Sequence, residues 1–124
     1  MSVMVNILLA IKLAVNNSAA LSAFHSAKYA VGLPPADAFP AITMDGVFSP
    51  ESKQAQLQAN IHLWFKPAQA NKMGDIYELA EAFKTALLST ELVQPGIWLH
   101  RPEPNNAVDH VVFPVTIHVA ALNA

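Results

Sequence analysis

The chain has 124 residues, enough for one domain with its own hydrophobic core, and its lack of cysteine excludes disulfides, thiolate metal sites and a cysteine nucleophile. The 7 basic and 9 acidic residues form no run of either sign, so a protein that follows a nucleic-acid backbone through a basic stripe is not expected. Charged residues make up only 13% of the chain and apolar residues 53%. The surface of a chain with so few charges must be covered with amides, alanine, proline and serine, or be hidden against partner subunits. We expect both to apply here, in a subunit of an assembly.

The first predicted element is a helix over residues 2–15. Its apolar residues recur at spacings of four, three and four, which places them on one side of the helix: Met4, Leu8, Ile11 and Val15. Asn6 and Lys12 interrupt the apolar run, which is too short to span a membrane and lacks the basic start of a secretory signal. We therefore expect this helix to pack on a sheet. A further turn over residues 19–24 and a short strand around residues 26–31 follow.

The segment GLPPADAFP leads into a second strand over residues 41–45, because its prolines lack backbone donors and favour an extended or turning path. DGVFSPESK, residues 45–53, is predicted to be a long hairpin loop, since it contains Gly46 and Pro50. Val47 and Phe48 are apolar residues within this loop. They either fold back onto the domain or contact a neighbouring subunit from the loop tip.

The stretch QAQLQANIHLWF, residues 54–65, alternates between apolar and polar side chains without a break, which predicts a strand with one buried face. The other face carries no charged residue and consists of Gln54, Gln56, Gln58, Asn60, His62 and Trp64. A tryptophan beside uncharged amides is typical of a contact surface, because it offers a large area with no charge to desolvate. The alternative is that a helix or loop of the same subunit covers this face.

The second helix is predicted over residues 71–89, where apolar residues form one stripe: Ile76, Leu79, Ala80, Phe83 and Leu87. Two more strands are expected, a short one over residues 96–101 and a longer one over residues 110–120. Pro114 lies in the middle of the last strand and has no N–H group. This predicts a sheet edge or a bulge at that point.

The predicted order of elements is one helix, three strands, a second helix and two strands (α-β-β-β-α-β-β). Each long strand has one apolar face and each helix one apolar stripe, so we expect a single α+β domain over residues 1–124. It would contain one mostly antiparallel sheet of four to five strands with the two helices packed on one face.

Motifs for catalysis and cofactor binding are missing from the sequence. The chain contains five histidines: His25, His62, His100, His110 and His118. None has H-x-H or H-x-x-x-H spacing, and His110 and His118 would lie about 26 Å apart on one extended strand, too far to share a metal ion.

No serine stands in a G-x-S-x-G context and no glycine-rich phosphate loop occurs. Glu78 and Glu81 lie on the polar side of the predicted helix, where solvated carboxylates are expected. We predict a protein that is not an enzyme and holds no metal or cofactor.

The layout of the chain resembles that of the tail-terminator or tail-completion proteins of long-tailed bacteriophages, of the minor tail protein U type. The similarity covers nearly the whole chain. It lies in the proline-rich entry to a strand, PADAFPAITM, in the strand LQANIHLWFKP before the helix GDIYELAEAFKTALL, and in the late strand DHVVFPVTIHVA. It is a similarity of element order and pattern rather than of an invariant signature.

This resemblance implies a non-enzymatic structural protein of a phage or prophage tail, located in the virion tail and, during assembly, in the bacterial cytoplasm. Members of the family typically form rings, often hexamers, that end the tail tube and join it to the head. The implied partners are other copies of the chain, the major tail tube protein and head–tail connector proteins, with no membrane and no sequence-specific nucleic acid.

The expected interface residues are Gln54, Gln56, Gln58, His62 and Trp64 on the strand face and Val47 and Phe48 at the loop tip. Two alternatives remain for the function. One is a neck or head-completion protein. The other is a small ligand-binding α+β domain that uses the His62/Trp64 face as a pocket.

Overall fold

Two α-helices, a short 3-10 helix and six strands make up the described part of the chain in this computed structural model, which covers residues 3–32, 39–48, 56–66, 76–103 and 108–118. The helices are α1 (Val3–Asn16), the 3-10 helix (Ala19–Phe24) and α2 (Ile76–Ser89). The strands are β1 (Lys28–Val31), β2 (Ala41–Phe48), β3 (Gln56–Phe65), β4 (Val93–Pro95), β5 (Leu99–Glu103) and β6 (Val108–His118).

The six strands belong to one sheet in the order β1-β2-β3-β6-β4, and β5 pairs with β6 as well. The β1–β2 pair is parallel, whereas β2–β3, β3–β6, β4–β6 and β5–β6 are antiparallel. The long central pair runs in register from Gln56 opposite His118 to Phe65 opposite Asp109. Among the described residues, β1 therefore forms one lateral edge of the sheet, and β4 with β5 forms the other.

The hydrophobic core lies between one face of the sheet, here called the inner face, and the helices. The odd-numbered residues of β3, and those of β6 from Val111 to Ile117, enter it, as the alternation predicts, together with apolar residues from α1, the 3-10 helix and α2. Ring contacts connect the layers: Phe83 of α2 lies 5.3 Å from Phe113 of β6, and Phe24 of the 3-10 helix lies 6.0 Å from Phe65 of β3. No helix in the described ranges is long and apolar enough to cross a membrane.

The predicted α+β class and the mostly antiparallel sheet are confirmed, but the sheet has six strands rather than four to five. Of the segment predicted as one short strand, residues 96–101, only residues 99–101 lie in a strand, β5. Residues 96–98 separate β5 from β4, a strand that the sequence did not predict. The predicted helices correspond to α1 and α2. The first residues of the second predicted helix, 71–75, lie outside the described ranges.

Strand β2 continues three residues beyond its predicted end, so the first part of the predicted hairpin loop belongs to the strand. The register of β2 with β3 shifts between Asp45 and Phe48, which marks a bulge. Gly46 sits in this bulge with φ 62°, a left-handed conformation that favours glycine. A Cβ atom on Gly46 would lie 3.1 Å from Asn60 Nδ2, so the neighbouring strand also leaves little room for a side chain.

Strand β6 as a whole is not a sheet edge, but at Pro114, where the sequence predicts an edge or a bulge, its pairing on one side is interrupted. It pairs with β3 on one side and with β4 and β5 on the other. The missing N–H of Pro114 is accommodated because the second neighbour is interrupted opposite it. There β4 has ended and β5 has not begun, and Gly96 N donates a hydrogen bond to Pro114 O at 2.7 Å. The missing N–H of Pro114 therefore goes with a break in the strand beside β6, and β6 still has neighbours on both sides.

Candidate interaction surfaces

The side of the sheet opposite the core, here called the outer face, carries the even-numbered residues of β3. These are the uncharged residues that the sequence pattern singled out, and the described ones are Gln56, Gln58, Asn60, His62 and Trp64. In β3 the odd-numbered residues from Ala59 to Phe65 are buried, whereas none of these five is fully buried. The predicted facing of β3 is confirmed.

Three aromatic rings stack on the outer face where β3 meets β6. The Trp64 and His110 ring centroids lie 4.2 Å apart at an interplanar angle of 19°, because these residues are directly opposite in the register. His62, two residues before Trp64, stacks on Trp64 at 5.5 Å and 17°, and its ring also lies 5.5 Å from the His110 ring, so the three rings form one cluster. Trp64 is half-buried and His110 is almost fully buried at 4% exposure. Much of the Trp64 ring is thus already used inside the subunit.

Strand β2 supplies polar partners that fix this stack. Trp64 Nε1 donates a hydrogen bond to the hydroxyl of the fully buried Thr43 at 2.8 Å. His62 Nε2 donates to Asp45 Oδ1 at 3.0 Å. His62 Nδ1 is buried and has no hydrogen-bond partner among the described residues, so the tautomer with its proton on Nε2 is the one that fits the site. Both contacts run diagonally between strands, which gives the stack a defined orientation.

An open groove lies further along the outer face, at the other end of β3. It has a volume of about 520 Å³, and its polar lining includes Gln56, Gln58, Asn60 and Gln94. Gln58 and Gln94 flank Thr116 of β6 from opposite sides in the register, so amide and hydroxyl groups from three strands face the same space. This amide groove can offer both donors and acceptors without any formal charge on those side chains.

The predicted interface residues are not equally placed. Gln56 and Gln58 line the amide groove, whereas His62 and Trp64 belong to the aromatic stack and do not line it. Val47 is half-buried and packs against the core, the first of the two alternatives for the loop residues. Phe48 pairs with Gln58 at the end of β2, and its side chain and Gln54 lie outside the described part of the structure.

Large apolar side chains are exposed at both lateral edges of the sheet, and the sequence pattern did not identify them. At the β1 edge, Val5, Leu9 and Val31 border a second groove of about 260 Å³ between α1 and β1. At the opposite edge, Ile97 is 92% exposed in the segment between β4 and β5. A sequence signal existed for α1, because Val5, Leu9 and Leu13 recur every four residues and form a second apolar stripe. None existed for Ile97.

Among the described residues, ionisable side chains contact each other at His62 and Asp45 and at His100 and Asp109. His100 Nε2 donates to Asp109 Oδ1 across β5 and β6, and Glu81 accepts a hydrogen bond from Trp98 Nε1 at 3.0 Å, which shows that Glu81 is not simply solvated as expected. Burial raises the pKa of the Tyr29 hydroxyl, which finds no hydrogen-bond partner within the described ranges. No group of three or more histidine, aspartate or glutamate side chains in that part of the chain could hold a metal ion.

The comparisons with known proteins assign no family to this arrangement. No protein-family model matches the chain, and no curated protein matches it.

Proposed function

We propose that this protein is a non-enzymatic structural subunit that assembles with copies of itself, in the role of a tail-terminator or tail-completion protein of a phage or prophage. The observation that carries the proposal is the chemistry of its surface. Exposed apolar residues stand at both lateral edges of the sheet, the β3 side chains of the outer face are uncharged, and charged residues are only 13% of the chain. Such a surface loses little solvation energy when it is covered.

The amide groove supports the same proposal. Gln56, Gln58 and Gln94 present uncharged donors and acceptors, so a second copy could approach without the repulsion that rows of lysine or glutamate would cause. The formal net charge of −2 adds little long-range repulsion between copies. The specific role in a phage tail rests on the resemblance in element order, with the tail tube protein and head–tail connector proteins as further partners. A neck or head-completion protein would use the same surface chemistry.

The proposal is tested by electron microscopy of the purified chain at high concentration. Closed rings of uniform diameter are expected, and particles no larger than one subunit would contradict it. The neighbouring genes test the phage role itself: genes for a major tail protein and a portal beside this one would support a tail or neck function, and their absence would oppose both. Electron microscopy that locates the subunit in a particle separates the tail role from the neck role.

One observation favours a different function. The amide groove has the volume of a small-molecule site, since such sites occupy about 300–1,000 Å³. It lies on the same face as His62 and Trp64, where the sequence placed a pocket, but those two residues do not line it. Thermal unfolding with panels of neutral polar ligands tests this alternative. A reproducible rise in the melting temperature that is lost in Gln58→Ala would favour ligand binding, whereas no shift with any ligand would leave self-assembly as the use of this surface.

A further inference from the structure

Ile97 is an apolar side chain presented to solvent by a firmly held backbone. It is 92% exposed, and both of its neighbours are anchored. On one side Gly96 N donates to Pro114 O at 2.7 Å, and on the other Trp98 Nε1 donates to Glu81 Oε2 at 3.0 Å while the Trp98 ring packs against the core. An exposed apolar side chain on a backbone that is already held loses less entropy on binding than one on a free loop, and this suits an interface anchor.

The groove between α1 and β1 has the size and chemistry to receive such a side chain. Its volume is about 260 Å³, and its lining residues are apolar except for Lys12 and Tyr29. A cavity of about 150 Å³ already holds a benzene-sized molecule, so a branched aliphatic side chain fits with room for part of its neighbour. Val31 and Leu9, each 51% exposed at the rim, gain burial when the groove is filled.

The positions of Ile97 and the groove decide what kind of partner fits. The groove lies at the β1 edge of the sheet and Ile97 at the β4–β5 edge, so the two surfaces cannot meet within one subunit. We propose that Ile97 of one copy inserts into the α1–β1 groove of the next copy, which joins the chains head to tail. Because the two surfaces are different, this contact is heterologous, and repeated contacts close into a ring if the rotation between neighbours permits. The inference rests on the proposed function and names the contact that builds the assembly.

Charge favours this pairing over a contact between two grooves. Lys12 is the only charged side chain among the lining residues in the described part, so two facing grooves would bring two lysines together. Docking of Ile97 instead brings Lys12 towards an edge of mixed charge, which carries Glu81, the acceptor of the Trp98 hydrogen bond, and the exposed Arg101 of β5. The head-to-tail contact therefore avoids the repulsion between two lysines.

Two variants and their mixture test the proposal in sedimentation experiments. Ile97→Asp removes the anchor but keeps the groove, and Leu9→Glu alters the groove but keeps the anchor. Each alone should raise the dissociation constant for self-association roughly tenfold to a hundredfold, because a buried aliphatic side chain is lost from the contact. An equimolar mixture should form a heterodimer that does not grow, since it has one intact contact. Leu88→Glu is the matched control, because Leu88 is also 51% exposed on a helix but belongs to neither surface, and it should assemble as the wild type does.

The outcomes separate this inference from the proposed function. If the wild type and both variants assemble equally, self-assembly stands and the Ile97 contact is wrong. If each variant is monomeric but the mixture forms no heterodimer, the contact is not head to tail and the proposal fails. If the wild type itself stays monomeric, the proposed function fails as well. Circular dichroism spectra that match the wild type establish that the variants are folded.

Discussion

At the scale of single residues, Trp64 shows how a side chain with the composition of an interface can be held within its own subunit. Its indole N–H is bonded to Thr43 and its ring contacts the rings of both His62 and His110, which also contact each other. The alternation of β3 correctly places Trp64 on the outer face. The hydrogen bond could not be predicted from sequence, because it depends on the register that brings β2 beside β3.

Replacing Trp64 by phenylalanine measures this bond. Trp64→Phe keeps an aromatic ring against His110 but removes the N–H donor, so the hydroxyl of buried Thr43 loses its partner. We expect the free energy of unfolding to fall by about 1–3 kcal/mol in urea denaturation. Thr43→Val should then lower the free energy of unfolding less in the Trp64→Phe variant than in the wild type. Additive effects of the two substitutions would show that the bond contributes nothing to stability.

Tyr29 predicts a dependence of stability on alkaline pH. Burial raises the pKa of its hydroxyl in the folded state, so the neutral form is favoured there. The resulting stability is fully present below the unfolded pKa of about 10 and is lost as the pH rises above it. As the pH rises above about 10, the free energy of unfolding should therefore fall less in Tyr29→Phe than in the wild type. Chemical denaturation at several pH values measures the free energy of unfolding. An equal dependence on pH in the two proteins would contradict the role given to Tyr29.

At neutral pH the same substitution should be harmless or stabilising. The Tyr29 hydroxyl is buried without a partner among the described residues, so removing it relieves an unsatisfied polar group. A marked loss of stability in Tyr29→Phe at neutral pH would show that the hydroxyl is bonded in solution.

At the scale of elements, the parts with strong periodicity were predictable and the parts set by neighbours were not. The unbroken alternation of β3 and the apolar stripe of α2 follow directly from the residues that form them. The division between β4 and β5 does not. It is imposed by Pro114 on the adjacent strand, which has no N–H to offer, and Gly96 marks the break. The exposure of Ile97 follows from that break, so it could not be predicted without knowing which strand lies beside Pro114.

The segment between β4 and β5 also gives a prediction about its own rigidity. Trp98→Phe should preserve most of the packing against the core but lose the hydrogen bond to Glu81, so residues 96–98 should become more mobile. Hydrogen exchange of these backbone amides should accelerate, with little change in the exchange of β3 and β6. Glu81→Gln keeps an acceptor oxygen and should exchange like the wild type. Unchanged exchange in Trp98→Phe would mean that the bond does not hold the segment.

At the scale of the whole molecule, the two edges of the sheet differ from each other and each exposes large apolar side chains. One edge offers a groove and the other the protruding Ile97, while the outer face between them carries amides. A subunit whose two edges differ in this way is suited to repeated addition in one direction, and a ring is the closed form of such an assembly. The low charge fits the same account, since few ions must be desolvated when neighbouring copies meet.

Sedimentation velocity of the wild-type chain, from micromolar to millimolar concentration, tests the central claim that this surface is covered by other copies of the chain. The account predicts a discrete faster species whose fraction grows with concentration at the expense of the monomer. A single monomeric boundary across the whole range would contradict it.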